Sequence, residues 1–169
     1  MNDLPIVYRE RVRPEWVDRN GHFNAGFYMV AFDTAVGPWF RWCGVDRAAD
    51  GERTHGTFTA ESHTLYLREL EPDEAFLVTA QLLGFEGKKI HTFLRMHRAD
   101  GEAVGELVAT NEILSLFVDL DQRKAASLPA AVIEQLEDVL RRHLAVGVST
   151  LSGRGVGLST PRPEVEGSS

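Results

Sequence analysis

The sequence has almost no cysteine and no long apolar segment. Cys43 is the only cysteine among 169 residues, so no intrachain disulfide can form. Without a disulfide framework we expect a reducing environment, and hence a cytoplasmic protein. No apolar run approaches the roughly 20 residues that cross a bilayer. The amino terminus also lacks the basic and apolar regions of a signal peptide, so we expect no membrane partner.

Positive charge is also scarce. The 18 Lys and Arg residues are outnumbered by 25 Asp and Glu residues, which gives a formal net charge of −7. A nucleic-acid-binding protein would need a basic stripe for the phosphates, so we expect no nucleic-acid partner. The composition, 43% hydrophobic and 25% charged, is that of one ordinary globular domain.

One long segment of the chain is apolar on nearly every side. Between Asn24 and about Cys43 only Asp33 and Arg41 are charged. A helix that is hydrophobic all round is a buried helix, and Asn24 is a suitable N-cap. Pro38 is expected to kink or end this helix, because it removes an amide donor and clashes with the preceding turn.

The remaining segments alternate with the period of β-strands. Four strands joined by short turns imply an antiparallel sheet, and the helix before them must be wrapped by that sheet, which makes an α+β fold. In the segment 57–68 one face is expected to hold Phe58, Ala60, Ser62, Thr64 and Tyr66. The predicted strands are 6–13, 57–68, 75–84, 88–98 and 103–119, with an amphipathic helix over 129–144. We predict one domain over 1–144 and a flexible tail over 145–169.

The most informative stretch is the turn that leads into the buried helix. Asp18 precedes Gly21 and His22, and the helix begins at Asn24. A helix N-terminus offers unpaired N–H donors that can hold an oxyanion, and a nearby carboxylate can attack a carbonyl or activate water. This pattern favours acyl transfer, although most Asp-Gly turns are purely structural.

The stretch V-D-x-N-G-H-x-N-x-x-x-Y resembles the 4-hydroxybenzoyl-CoA thioesterase-like branch of the hotdog superfamily. Hotdog proteins wrap an antiparallel sheet around a long central helix, which fits the predicted element order. The resemblance implies that Asp18 is the catalytic carboxylate, Gly21 the turn glycine and Tyr28 the helix tyrosine. It also places the oxyanion-binding N–H on Ala25. Many members read H-x-N-N, whereas this chain has Asn24-Ala25, so the second Asn is missing.

The similarity extends over residues 7–129. The segments FTAESHTLYLREL, LLGFEGKKIHTFLRM and ATNEILSLFVDLDQRK resemble the betainyl-CoA thioesterase group, which also occurs fused to carnitine dehydrogenases. The resemblance implies an acyl-CoA substrate, hydrolysed to free acid and CoA, with betainyl-CoA from carnitine degradation as the first candidate. It also implies a homodimer or homotetramer. We expect no cofactor and no metal.

Other residues are candidates for substrate binding. Glu61 and His63 share one strand face and are expected near the acyl thioester, although a solvated pair is the alternative. Trp16 could hold a cationic acyl group over its ring, or cap the core instead. His22 is expected to order the turn beside Asp18. Glu112 lies in an apolar strand and needs a partner, as a structural ion pair or behind the site.

Two other functions remain open from the residues alone. The first is a non-catalytic hotdog protein that binds an acyl-CoA. The second is a hotdog hydratase or dehydratase, which would use a histidine with a carboxylate such as His63 and Glu61. The presence of Asp18, Gly21 and Asn24 together favours the thioesterase.

Overall fold

A computed structural model describes residues 4–46 and 54–157. The elements within these ranges are β1 (Ile6–Arg11), a 3-10 turn (Pro14–Trp16), α1 (Ala25–Trp42), β2 (His55–Tyr66), β3 (Ala75–Glu86), β4 (Lys89–Asp100), β5 (Ala103–Asp119), β6 (Lys124–Ala125) and α2 (Ala130–Ala145). Neither helix in this part of the chain is long and apolar enough to cross a membrane.

The strands form one antiparallel sheet in the order β1-β3-β4-β5-β2, and β6 pairs with the end of β5. The predicted α+β architecture, a hotdog-type sheet with a long helix, is therefore confirmed. β2 lies at one edge of the sheet. Its backbone pairs with β5 on one side and with no described strand on the other.

The buried helix α1 runs along the core. Its residues Ala31, Phe32, Ala35 and Trp39 have no measurable exposure. The prediction that Pro38 would kink or end the helix is wrong as to its end, because α1 continues through this residue to Trp42. Trp39 is fully buried and donates its indole N–H to Thr92 at 3.0 Å. Full burial of a large side chain contributes roughly 1.5–3 kcal/mol, which offsets much of the cost of the lost helical hydrogen bond.

A β-bulge in β2 changes which side chains share a face. Thr59 and Glu61 lie opposite neighbouring positions of β5, so Ala60 is an extra residue in the strand. As a result Phe58 and Tyr66 point to opposite faces of the sheet, which corrects the expectation that they share one. Tyr66 lies on the face that packs against α1, as its contacts with that helix show.

Helix α2 and the segment after it pack on the sheet. The Gln81 side chain of β3 donates to the carbonyl oxygens of His143 at 3.0 Å and Gly147 at 2.8 Å. Further along, Ser152 and Gly153 donate to the carboxylate of Glu112 on β5. The segment up to Gly153 is thus attached at two points. The domain end at residue 144 stays a prediction, and residues 158–169 of the predicted tail lie outside the described residues.

Candidate active site

Asp18 sits in a tight turn just before α1. Its backbone N–H donates to the His22 carbonyl, and its own carbonyl accepts from the Gly21 N–H, both at 3.0 Å. The carboxylate accepts from the Asn20 backbone N–H at 2.7 Å. Gly21 has a φ of 83°, a left-handed conformation that side chains rarely adopt. The glycine therefore lets the chain reverse while Asp18 stays at the mouth of the helix.

The first turn of α1 leaves one backbone donor unused. Asn24 is the N-cap, and its side chain accepts from the Gly26 N–H at 2.9 Å. The Asn24 carbonyl accepts from the N–H groups of Phe27 and Tyr28. The Ala25 N–H donates to no residue within the described part of the chain. Since Ala25 is exposed, this donor faces solvent at the positive end of the helix dipole.

Asp18 and Ala25 line the same pocket, which has a volume of about 400 Å³. Its walls come from the turn, the start of α1 and the end of β2. The lining residues are Asp18, Asn20, His22, Phe23, Ala25, Tyr28, Tyr66, Leu67, Arg68 and Glu69. A carboxylate and a free helix N–H therefore border one cavity, which is the arrangement that acyl transfer needs.

Two tyrosines form one wall of this pocket. Their rings meet edge to face, with centroids 5.4 Å apart at 87°. The Tyr66 hydroxyl donates to the Ala25 carbonyl at 3.2 Å, and the Tyr28 hydroxyl donates to the Arg68 carbonyl at 3.3 Å. Burial raises the pKa of Tyr28 to about 12 and also raises the pKa of Tyr66. Both phenols therefore remain protonated donors at neutral pH.

The pocket is lined by two carboxylates, Asp18 and Glu69, and by one guanidinium, Arg68. Glu69 pairs with the His22 ring at 3.2 Å across the pocket mouth. The Arg68 guanidinium is engaged by Glu106, with Nε to Oε1 at 3.1 Å. Glu106 does not line the pocket, and its second oxygen contacts Arg98 at 3.4 Å. The carboxylates of Asp18 and Glu69 remain as the pocket's negative charges.

Comparison with known proteins assigns the family. Residues 12–136 match the model of the Thioesterase-like superfamily. The chain belongs to this superfamily. It is 30% identical to the betainyl-CoA thioesterase of Pseudomonas aeruginosa over 162 residues, which is 96% of this chain and 100% of that protein. Acyl-CoA thioester hydrolysis is the activity that this relationship supports.

Two further similarities agree with this assignment. An L-carnitine dehydrogenase/betainyl-CoA thioesterase of Rhizobium meliloti is 34% identical over 147 residues, which cover 87% of this chain and 29% of that longer protein. A crystal structure of a proposed thioesterase from Pseudomonas putida KT2440 superposes with a TM-score of 0.77 at 29% identity, covering 93% of this chain and 98% of that chain. Both sequence and fold therefore identify the thioesterase.

The predicted site residues of the thioesterase divide into two groups. Asp18, His22, Ala25 and Tyr28 line the pocket, while Gly21 and Asn24 shape it from behind. Trp16 does not line the pocket. Its ring is 7% exposed, stacks on Phe23 and Phe27, and has the Arg13 guanidinium over it at 4.6 Å. This packing agrees with the alternative that Trp16 caps the core, and a contact of its ring with an acyl group stays a prediction.

Glu61 and His63 lie away from Asp18. Both pair with β5 positions whose side chains point to the sheet face opposite α1. There they border a second cavity of about 460 Å³, together with His91 and Glu112. Within one chain the sheet thus separates them from the pocket that Asp18 lines, and their place near the thioester stays a prediction.

Glu112 has a structural partner set. Its carboxylate accepts from His91 Nε2 at 2.7 Å, the Ser152 hydroxyl at 2.9 Å and the Gly153 N–H at 2.8 Å. Burial pushes the pKa of Glu112 up, but these three donors together lower it below its usual value. Glu112 therefore anchors the carboxyl-terminal segment to β5. The partner that its carboxylate needs is supplied by His91, Ser152 and Gly153.

The pocket wall at the end of β2 was not predicted from the sequence. Tyr66 was assigned only to a strand face, yet it is 51% exposed and lines the cavity beside Arg68 and Glu69. No local sequence pattern could assign Tyr66 to the pocket, because its contact with Ala25 joins residues that are 41 positions apart. The described residues contain no group of three or more His, Cys, Asp or Glu side chains that could hold a metal ion. Burial also raises the pKa of the Cys43 thiol to about 12, which makes it a poor nucleophile.

Proposed function

We propose that this thioesterase hydrolyses short, cationic acyl-CoA substrates, with betainyl-CoA first, and that Asp18 and the Ala25 N–H perform the reaction. The supporting observation is that a free helix N–H and a carboxylate border one pocket. The relationship to the betainyl-CoA thioesterase of P. aeruginosa, over that protein's full length, supports the choice of acyl group.

In the proposed reaction the thioester carbonyl oxygen points toward the Ala25 N–H. Negative charge develops on that oxygen when the carbonyl carbon becomes tetrahedral, and the unused N–H with the helix dipole stabilises it. Collapse of the intermediate breaks the C–S bond, and the CoA sulfur leaves and takes up a proton. Water supplies the second oxygen of the released acid.

The Asp18 carboxylate has two possible roles in this scheme. As a general base, it removes a proton from the water that attacks the carbonyl carbon. As a nucleophile, it attacks the carbonyl itself and forms a mixed anhydride that water then hydrolyses. The Asn20 N–H holds the carboxylate in place for either role. Single-turnover hydrolysis in ¹⁸O-water, followed by mass spectrometry of Asp18 peptides, tests the nucleophile route. Label in the Asp18 side chain would establish this route, because general-base catalysis places the water oxygen only in the released acid.

We also propose a homodimer or homotetramer that pairs through the free edge of β2. An unpaired edge exposes backbone donors and acceptors that another strand can satisfy. One large apolar side chain of β2, Phe58, is 49% exposed, and a partner subunit would cover such surface. Sedimentation velocity at micromolar concentration should show an assembly. A fully active monomer would contradict this.

The substrate is tested with the wild-type enzyme and a panel of thioesters. Release of free CoA is followed with a thiol reagent for betainyl-CoA, an aryl-CoA, a fatty acyl-CoA and tert-butylacetyl-CoA. The last compound replaces the ammonium nitrogen of betainyl-CoA by carbon, so it has the same shape without the charge. We expect the highest kcat/KM for betainyl-CoA. A hydratase or a silent binding protein would release no CoA from any of them.

A further inference from the structure

The chemistry of a betainyl group fixes where its charge must sit. One methylene separates the quaternary nitrogen from the carbonyl carbon, in the same N–C–C geometry as a peptide backbone. With bond lengths of about 1.5 Å and an angle of about 111°, the nitrogen lies only about 2.5 Å from the reacting carbon. Any group that recognises the trimethylammonium head must therefore lie beside the residue that binds the carbonyl oxygen, which is Ala25 in the proposed function.

Tyr66 is held at that place by two contacts with α1. Its hydroxyl donates to the Ala25 carbonyl at 3.2 Å, and its ring packs edge to face against Tyr28, with centroids 5.4 Å apart. These contacts fix both ends of the side chain. Despite them, Tyr66 is 51% exposed and lines the pocket. A rigid, accessible aromatic ring thus stands next to the oxyanion-binding donor.

The other aromatic residues of the pocket cannot offer a ring face in this way. Phe23 is 4% exposed and Tyr28 is 3% exposed, and their rings pack together with centroids 4.2 Å apart. Both rings are therefore buried in the core and have no free face for a substrate. Of the three aromatic residues that line the pocket, Tyr66 alone has substantial free surface.

We propose that Tyr66 is the residue that selects the cationic acyl group, by placing its ring against the trimethylammonium head. This inference rests on the proposed function and names the recognition element of the same site. A quaternary ammonium is attracted to the face of an aromatic ring, and most strongly when water is excluded. The carboxylates of Asp18 and Glu69 in the same pocket add a field of the right sign. The Arg68 guanidinium of the pocket is paired with Glu106, which also contacts Arg98.

The test compares two substrates on a series of ring variants. The readout is the ratio of kcat/KM for betainyl-CoA to kcat/KM for tert-butylacetyl-CoA, so general losses of activity cancel. Tyr66→Leu should lower this ratio by about 2- to 30-fold, the range of a single cation–π contact. Tyr66→Phe keeps the ring and loses only the hydroxyl bond to Ala25. It should lower both rates together and leave the ratio near that of the wild type.

A second series of variants keeps the proposal testable even if Tyr66→Leu does not fold. Phenylalanines with one, two or three ring fluorines at position 66 keep the shape of the side chain while they withdraw electrons from its face. The ratio should fall stepwise along this series, measured relative to Tyr66→Phe, which lacks the same hydroxyl. If the wild type prefers betainyl-CoA but the ratio is unchanged by Tyr66→Leu or by fluorination, the proposed role of Tyr66 is overturned. The proposed substrate is not affected by that result. A wild-type enzyme with no preference for the charged compound would overturn the proposed substrate as well.

Discussion

The side chain of Asn24 accepts a hydrogen bond from the Gly26 N–H at 2.9 Å, which closes the first turn of α1. Because Asn24 also occupies the N–H groups of Phe27 and Tyr28 through its carbonyl, the Ala25 N–H is the donor left over in this turn. The N-cap therefore does two things. It stabilises the helix, and it determines which N–H is free to meet a substrate oxygen.

Substitutions of Asn24 should separate these two effects. Asn24→Ala removes the cap and should lower the free energy of unfolding by about 1 kcal/mol. Asn24→Asp keeps the cap and should retain the stability of the wild type, since a carboxylate is favourable at a helix N-terminus. Its charge, however, lies beside the developing oxyanion and should lower kcat by about tenfold. Urea unfolding and kinetics on betainyl-CoA measure both.

Asn24→Ser is the matched control, because a serine caps without adding charge. It should stay close to the wild type in both measurements. An Asn24→Asp variant with an unchanged kcat would mean that no negative charge develops near Ala25 in the rate-limiting step.

The local half of the site could be predicted from the sequence, and the distant half could not. Asp18, Gly21 and Asn24 lie within one turn, so their spacing alone determines their geometry. Tyr66 reaches the site from another strand, and one extra residue at Ala60 reverses which earlier β2 side chains share its face. Strand alternation predicts faces only while the register is unbroken.

Helix continuity also depended on tertiary contacts. Pro38 is a strong local signal for a break, but the deep burial of Trp39 and Phe40 just after it favours the continued helix. The partner of Glu112 was equally hidden, because Ser152 and Gly153 come from a Gly- and Ser-rich segment without a periodic pattern. Packing between distant segments determines both outcomes.

The buried His143 should make stability depend on pH. Its Nδ1 accepts from the Leu82 N–H at 2.9 Å, and its ring stacks on Trp39 and Trp42. Burial lowers the pKa of His143 from its ordinary value of 6.5 to about 4. Above the ordinary pKa neither the folded nor the unfolded form binds a proton here. Below it the unfolded form gains one first, so the free energy of unfolding should fall as the pH drops toward 4, by up to about 1.4 kcal/mol per pH unit.

Chemical denaturation of wild type and His143→Gln at a series of pH values measures this effect. Glutamine can still accept from Leu82, but it does not titrate. The wild type should lose more stability than the variant between neutral pH and pH 4, although the variant starts lower. His97, whose pKa burial also lowers, contributes with the same sign in both proteins and cancels in the difference. Parallel curves for the two proteins would show that His143 does not titrate over this range.

Glu112 should control the attachment of the carboxyl-terminal segment. Glu112→Gln weakens the bonds from Ser152, Gly153 and His91, since hydrogen bonds to a charged acceptor are each worth about 1.5 kcal/mol or more. Loss of about that amount raises the detached fraction roughly tenfold. Arg154 directly follows the attachment point, so limited trypsin digestion should cut after it correspondingly faster.

Glu102→Gln is the control for this digestion, because Glu102 is an almost fully exposed partner of Arg9 far along the chain. It should leave the rate of cleavage after Arg154 unchanged. Equal cleavage rates in wild type and Glu112→Gln would show that the Glu112 contacts do not hold the segment.

The most direct measurement is the rate of betainyl-CoA hydrolysis by Asp18→Asn. Asparagine can still accept from the Asn20 N–H, so the turn and the melting temperature should be preserved. Asp33 is exposed on α1, so Asp33→Asn makes the same change from carboxylate to carboxamide away from the pocket. This matched control should keep wild-type activity. Loss of the attacking or activating carboxylate should lower kcat by about 10²- to 10⁴-fold. A folded Asp18→Asn enzyme that keeps more than about a third of the wild-type rate would contradict the account.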